Sequence, residues 1–174
     1  MERKPRACHE EPSPLDAAVR KRVLRLLTYG LYILTAGAGD DIAAGTVTWL
    51  SQASFTPLLV MVGVRRDGHV HEVVGRSRAF AVHVLASTQR DVASAFFRPS
   101  VADGGRINGY AFERAPATGA PLLLDLPAWF EARVTDTVAR GDHTVFVAEV
   151  VGTGLRDPGA TPLALSDTPW SYAG

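Results

Sequence analysis

Ala43-Ala44-Gly45-Thr46-Val47-Thr48-Trp49-Leu50-Ser51-Gln52-Ala53-Ser54-Phe55-Thr56-Pro57 is the stretch on which the fold turns. It is uncharged, rich in β-branched and aromatic residues, and closed by a proline, which is the pattern of a strand running into a turn. Strand alternation puts Thr46, Thr48 and Leu50 on one face and Val47, Trp49 and Ser51 on the other. Neither face is purely apolar. A strand this polar inside a hydrophobic chain needs partners for its hydroxyls and for the Gln52 amide. Two readings satisfy that need: a half-exposed strand whose threonines serve β-propensity, or the wall of a ligand site.

The neighbouring sequence keeps the same character. Leu31 to Ala36, Ala43 to Ser54, Pro57 to Val64 and Phe80 to Leu85 read as strands, and Trp129 to Ala139 and Thr144 to Thr153 as two long ones joined by Arg140-Gly141-Asp142-His143. Helices are expected from Ser13-Pro14 to Tyr29-Gly30, over His69 to Val74, and over Thr88 to Phe97. In the first of these Leu15, Val19, Val23, Leu26 and Leu27 fall at helical spacing, with basic residues interleaved. Arg98 to Pro121, dotted with Gly and Pro, is expected to be loop. Thr161 to Gly174 reads as a short strand with an aromatic tail, and Trp170 and Tyr172 are expected to fold back on the barrel or on a partner subunit. About six strands with two or three helices point to a mainly β domain, closed or nearly closed into a barrel with flanking helices. Regular strand–helix alternation is lacking, as is a Gly-x-Gly-x-x-Gly turn, which argues against a doubly wound nucleotide fold.

The totals narrow the function classes. A chain of 174 residues suits one domain, here residues 15–174 behind a flexible leader of residues 1–14. Lys plus Arg and Asp plus Glu both number 18, so net charge gives no reason to expect nucleic acid or an acidic membrane surface. The single cysteine, Cys8, permits no intrachain disulfide and agrees with a reducing compartment. With no export signal and no apolar run long enough to span a bilayer, a cytoplasmic location is expected. His69-x-His71 supplies too few ligands for zinc, so no metal is expected, and a helix-start or phosphate-loop role suits these histidines better.

Three ordered blocks carry a resemblance. Thr46 to Phe55 followed by a proline, Ser77-Arg78-Ala79-Phe80-Ala81-Val82-His83-Val84-Leu85, and Gly141-Asp142-His143 ahead of a strand together resemble the flavin reductase-like family with its FMN-binding split β-barrel. Two positions depart from the family pattern: Thr56 stands where aspartate is usual before proline, and His83 where asparagine is usual. The resemblance implies FMN as the flavin, with FAD as the alternative, and NADH or NADPH as co-substrate. It implies NAD(P)H-dependent flavin reduction, with reduced flavin or electrons passed to a partner such as a flavin-dependent oxygenase. The alternative is an FMN-bound electron-transfer protein that does not itself oxidise nicotinamide. A homodimer is implied as well, because barrels of this family build the flavin site between two subunits.

The residue types suit such a cofactor. An isoalloxazine needs a flat apolar slot with donors and acceptors along one edge, which Gly45, Thr46, Val47, Thr48, Leu50, Ser51 and Gln52 offer on one run of chain. Trp49 either walls that slot or is a core or interface aromatic. Ser77, Arg78 and Arg65 are candidate phosphate donors, and Phe80 and His83 belong to the second block. Arg78 also reads as a solvated loop charge. By spacing alone His143 is the shoulder of a tight turn. By resemblance it faces the nicotinamide, with Asp142 orienting its loop, and acts by positioning, since hydride transfer needs no protein acid at the transferring carbon.

Overall fold

The computed structural model describes residues 17–172. Strand β1 (Tyr32–Ala38) turns back into β2 (Asp41–Val47), with Tyr32 opposite Val47 and Ala38 opposite Asp41. The chain then bends at Thr48-Trp49 into β3 (Leu50–Ser54), which pairs antiparallel with β4 (Leu59–Arg65). The single strand expected over Ala43 to Ser54 is therefore two. At the bend the Leu50 N–H turns back to the Thr48 carbonyl (3.0 Å), while the Trp49 carbonyl accepts the Gly63 N–H (2.8 Å). The backbone groups stay satisfied without a continuous ladder.

After β4 come α2 (His69–Ser77), β5 (Ala79–Val84) and α3 (Arg90–Ala95). The long antiparallel pair β10 (Ala128–Ala139) and β11 (His143–Leu155) completes a seven-stranded sheet of order β2-β1-β5-β10-β11-β4-β3. Its two end strands, β2 and β3, are joined by only two residues, so the sheet must curl until its edges meet. The result is mainly antiparallel β with helices outside, the expected fold class. Leu34, Val62, Phe80, Val82 and Ala132 fill the interior, and Val73 and Val74 of α2 join the same cluster. A second cluster, including Leu31, Ile33, Leu85, Phe96, Leu123 and Leu163, lies between the sheet, α3 and the C-terminal segment. Each such side chain contributes roughly 1.5–3 kcal/mol by leaving water.

Three expectations need correction. Arg98 to Pro121 is not simply loop: β6 (Ala102–Asp103), β7 (Arg106–Ile107) and β8 (Tyr110–Arg114) pair with β9 (Pro121–Leu123) in a small second sheet. Its turns are Gly104-Gly105 and Asn108-Gly109, all at positive φ, so the residues that suggested loop are the turns of very short hairpins. Of the stretch expected as a strand with an aromatic tail, the described residues 161–172 contribute isolated bridges, Ala86 to Pro162 and Gly30 to Ala164, and a 3-10 turn rather than a strand. The first helix, α1 (Ala17–Leu24), buries none of its side chains; Val23 within it and Leu26 beyond it are exposed. The leader and the Ser13-Pro14 cap fall outside the described residues. Among the described residues no helix is long and apolar enough to cross a membrane.

Candidate functional site

The end of β2 and the corner after it open onto a cavity of about 820 Å³, within the range of small-molecule sites. Gly45, Thr46, Val47 and Thr48 form one wall, and Gly63 to Arg65 of β4 the adjoining one. Residues 67–70, where α2 starts, and Phe96 to Ser100 line the rest, with Trp170, Ser171 and Tyr172 of the tail. Each wall has a cause in the sequence. Gly68 caps α2 in extended conformation, so the first N–H groups of that helix have no intrahelical acceptor. The segment after α3 is stitched along the β2 edge: the Thr46 hydroxyl donates to the Ala93 carbonyl (2.7 Å), the Thr46 N–H to Phe96 (3.3 Å), and the Ala44 N–H to the Ser100 hydroxyl (3.1 Å).

Two buried polar atoms at the corner have no protein partner, the Thr48 hydroxyl and the Trp49 indole nitrogen. An unpaired buried polar group costs about 1–3 kcal/mol, and groups of this kind call for an explanation. Thr48 belongs to the cavity wall, so its unpartnered hydroxyl lies at the edge of that space. Two sets of charges near the rim are paired. Arg65 binds Asp67 through Nε (3.0 Å) and Nη2 (2.5 Å), and those bonds hold the Asp67 carboxyl below its usual range. His69, the first residue of α2, bonds Asp41 (2.8 Å), and Arg76 bonds the same carboxyl.

His143 opens β11 directly opposite Arg65 of β4. Its ring lies 4.4 Å from that of Trp49, and its side chain is 12% exposed. Nδ1 is 2.8 Å from the Asp142 carboxyl, and Nε2 is 2.7 Å from the Tyr172 hydroxyl. The hydrogen bond to His143 holds the Asp142 carboxyl below its ordinary value, so Asp142 is the acceptor and Nδ1 carries the proton. In the neutral ring Nε2 keeps its lone pair, and the Tyr172 hydroxyl is placed to donate into it. Burial pushes the Tyr172 phenol up, which keeps that proton in place. The Asp142-His143 pair is held against β4 by Arg66, whose N–H donates to Asp142 (2.9 Å) and whose guanidinium donates to Gly141 (3.3 Å).

The structure brings together part of the candidate set. Gly45, Thr46, Val47, Thr48 and Arg65 line the cavity, and Trp49, Asp142 and His143 stand beside it. Leu50, Ser51 and Gln52 lie past the corner in a separate groove of about 320 Å³, with Tyr32, Phe130 and Val150. The second block is not at the cavity wall. The Ser77 hydroxyl donates to Ala79 (2.8 Å), and Arg78 caps α2 at φ 53° with its guanidinium on the Val134 carbonyl (3.3 Å). Phe80 is fully buried in the core. His83 is also fully buried; its Nδ1–H donates to the Ile33 carbonyl (3.1 Å) and its Nε2 accepts the Leu123 N–H (3.0 Å). Burial lowers its pKa to about 4, so the ring is neutral. The tail folds back over the barrel, Trp170 edge-on to Phe97 at 4.8 Å. Sequence reasoning missed Asp67, Val70 and Phe96 to Ser100. Gly68, placed before an amphipathic run, was the one signal for the first of these.

The family model for the flavin reductase like domain matches residues 24–169. The NADH-dependent flavin reductase StyB of Pseudomonas fluorescens is 32% identical over 147 residues, covering 84% of this chain and 83% of its own. Among solved structures, the styrene monooxygenase flavin reductase (SMOB) of Pseudomonas putida S12 is 30% identical, with a TM-score of 0.69 over 83% of this chain and 90% of the other. The NADH:FAD oxidoreductase SgcE6 of Streptomyces globisporus C-1027, in complex with NAD and FAD fragments, is 26% identical, with a TM-score of 0.75 over 95% and 98%.

Proposed function

The chain belongs to the flavin reductase like domain family, and from that membership we propose that it reduces FMN or FAD with NADH or NADPH and supplies reduced flavin to a partner oxygenase. The observation that carries the site assignment is the orphaned Thr48 hydroxyl on the wall of an 820 Å³ cavity bordered by His143. The residues present suit a flavin. Thr48 and the backbone of Gly45 to Val47 meet the polar edge of the ring system. Arg65 and the uncapped N–H groups at the start of α2 receive the phosphate, where donors and the helix dipole favour an anion. Trp49 backs the corner, and Trp170 covers it from the tail. When bound, the flavin accepts the hydride that a reduced nicotinamide gives up.

The protein's part is orientation. His143, with its tautomer fixed by Asp142, presents Nε2 as an acceptor for the nicotinamide carboxamide N–H, which sets the face and distance at which the transferring carbon sits. Positioning of this kind supplies several kcal/mol of a barrier without any proton transfer. The apolar groove beside Leu50, Ser51 and Gln52, flanked by exposed Phe55, Leu58 and Met61, supports a homodimer built on β3 and β4. The test is an absorbance spectrum of the purified protein with added FMN, followed anaerobically after NADH and after NADPH. Saturable binding and bleaching by at least one nicotinamide are expected; a flavin spectrum that neither nicotinamide bleaches would reject the reductase reading.

A further inference from the structure

Tyr172 lines the same cavity as Thr48 and Arg65, yet its hydroxyl lies 2.7 Å from Nε2 of His143, where it donates whenever the ring is neutral. Its ring stands edge-on to Trp49, with centroids 5.4 Å apart. A neutral imidazole has a single acceptor nitrogen, and the Asp142 carboxyl already fixes which nitrogen that is. Two donors cannot share that lone pair with good geometry at once. We propose that Tyr172 is a built-in stand-in for the nicotinamide carboxamide: its O–H holds the His143 acceptor until a carboxamide N–H replaces it, so the tail sets the affinity and the selectivity for the dinucleotide. This rests on the reading of His143 as the nicotinamide contact.

The exchange has two consequences. Every binding event breaks the Tyr172–His143 bond, so removing the hydroxyl while keeping the ring should tighten nicotinamide binding. An acceptor at Nε2 also selects carboxamide over carboxylate, because a carboxylate brings no proton and faces a lone pair. The ligand class that fits is a dinucleotide whose ring carries an amide.

Titration calorimetry with NAD⁺ on the oxidised, flavin-loaded protein reads this without turnover. Tyr172→Phe is expected to tighten NAD⁺ by about three- to tenfold, the worth of one hydrogen bond. In a His143→Ala background the same substitution should have no effect, since there is no lone pair to contest. Wild type should bind NAD⁺ more tightly than nicotinic acid adenine dinucleotide, with the preference lost in His143→Ala. Unchanged or weaker NAD⁺ binding by Tyr172→Phe would overturn the exchange, provided His143→Ala weakens NAD⁺. If His143→Ala alters neither NAD⁺ affinity nor the preference for the amide, it is the nicotinamide reading of His143 that fails, and the exchange fails with it.

Discussion

Acidifying from pH 7 to pH 5 is expected to cost this fold about 2 kcal/mol through His83 alone. The residue is wholly buried, with its Nδ1–H on Ile33 and its Nε2 accepting from Leu123, so both nitrogens are committed to the neutral form. Protonation would put a charge in the interior and turn an acceptor into a donor facing the Leu123 N–H. The folded value stands near 4 against an ordinary 6.5. Between those two values the unfolded chain binds a proton that the native protein refuses, so stability rises with pH across the window and falls as pH drops through it. With 6.5 and about 4 as the two values, about 3 kcal/mol is lost, most of it between pH 6.5 and 4, and the loss levels off below pH 4. For a domain of this size about 2 kcal/mol corresponds to a drop in Tm of roughly 4–8 °C. His83→Asn has no proton to gain. It should be less stable at pH 7 by about 1–3 kcal/mol, because Leu123 loses its acceptor, but its Tm should fall less between pH 7 and pH 5. The assay is thermal or urea unfolding of both proteins at pH 7, 6 and 5. Equal losses in wild type and variant would refute the argument.

Thr48→Val should weaken FMN about tenfold in a fluorescence titration while stabilising the flavin-free protein by about 1 kcal/mol, since it removes a buried hydroxyl that has no protein partner. His143→Ala should leave FMN affinity intact and slow bleaching by NADH about tenfold or more in stopped flow. Glu131 is 1% exposed and receives the Thr118 N–H and hydroxyl, both at 2.8 Å, and the Ala117 N–H at 3.1 Å. Glu131→Ala should therefore cost about 3 kcal/mol in urea unfolding by freeing the loop before β9. Phe55→Glu, at a position 88% exposed, should move a dimer toward monomer in sedimentation at several concentrations without lowering Tm at the monomer end.

The parts of the fold that alternation governs were readable from residues. β10, expected from Trp129, begins at Ala128, and β11, expected from Thr144, begins at His143. The Thr48-Trp49 corner was not, because alternation runs straight through it with neither glycine nor proline to mark the bend. The hairpins within Arg98 to Pro121 were hidden for a related reason: strands of two residues carry no period, and their pairing is decided by tertiary contacts. At the site, Thr46 to Thr48 and His143 stood out by residue type. Ser77 to His83 also looked like a binding block, yet Ala79 to His83 are all buried, as suits a central strand, and the polar side chains at its ends serve the backbone. Tyr172 was noticeable only as an aromatic in a polar tail; its partner lies 29 residues away in sequence.

Arg65 and His143 are register partners across the β4–β11 ladder, and this has a bearing on how such a site diversifies. Paired residues on adjacent antiparallel strands are about 4.5–5.5 Å apart at Cα whatever their side chains are. The Arg65 and His143 positions at the candidate site are thus spaced by the pleat itself. Insertions or deletions at residues 140–141 change the tip beyond that pair and spare the Asp142 carboxyl that bonds His143. Hairpin tips can then vary in length while the spacing of Arg65 and His143 stays where the ladder puts it.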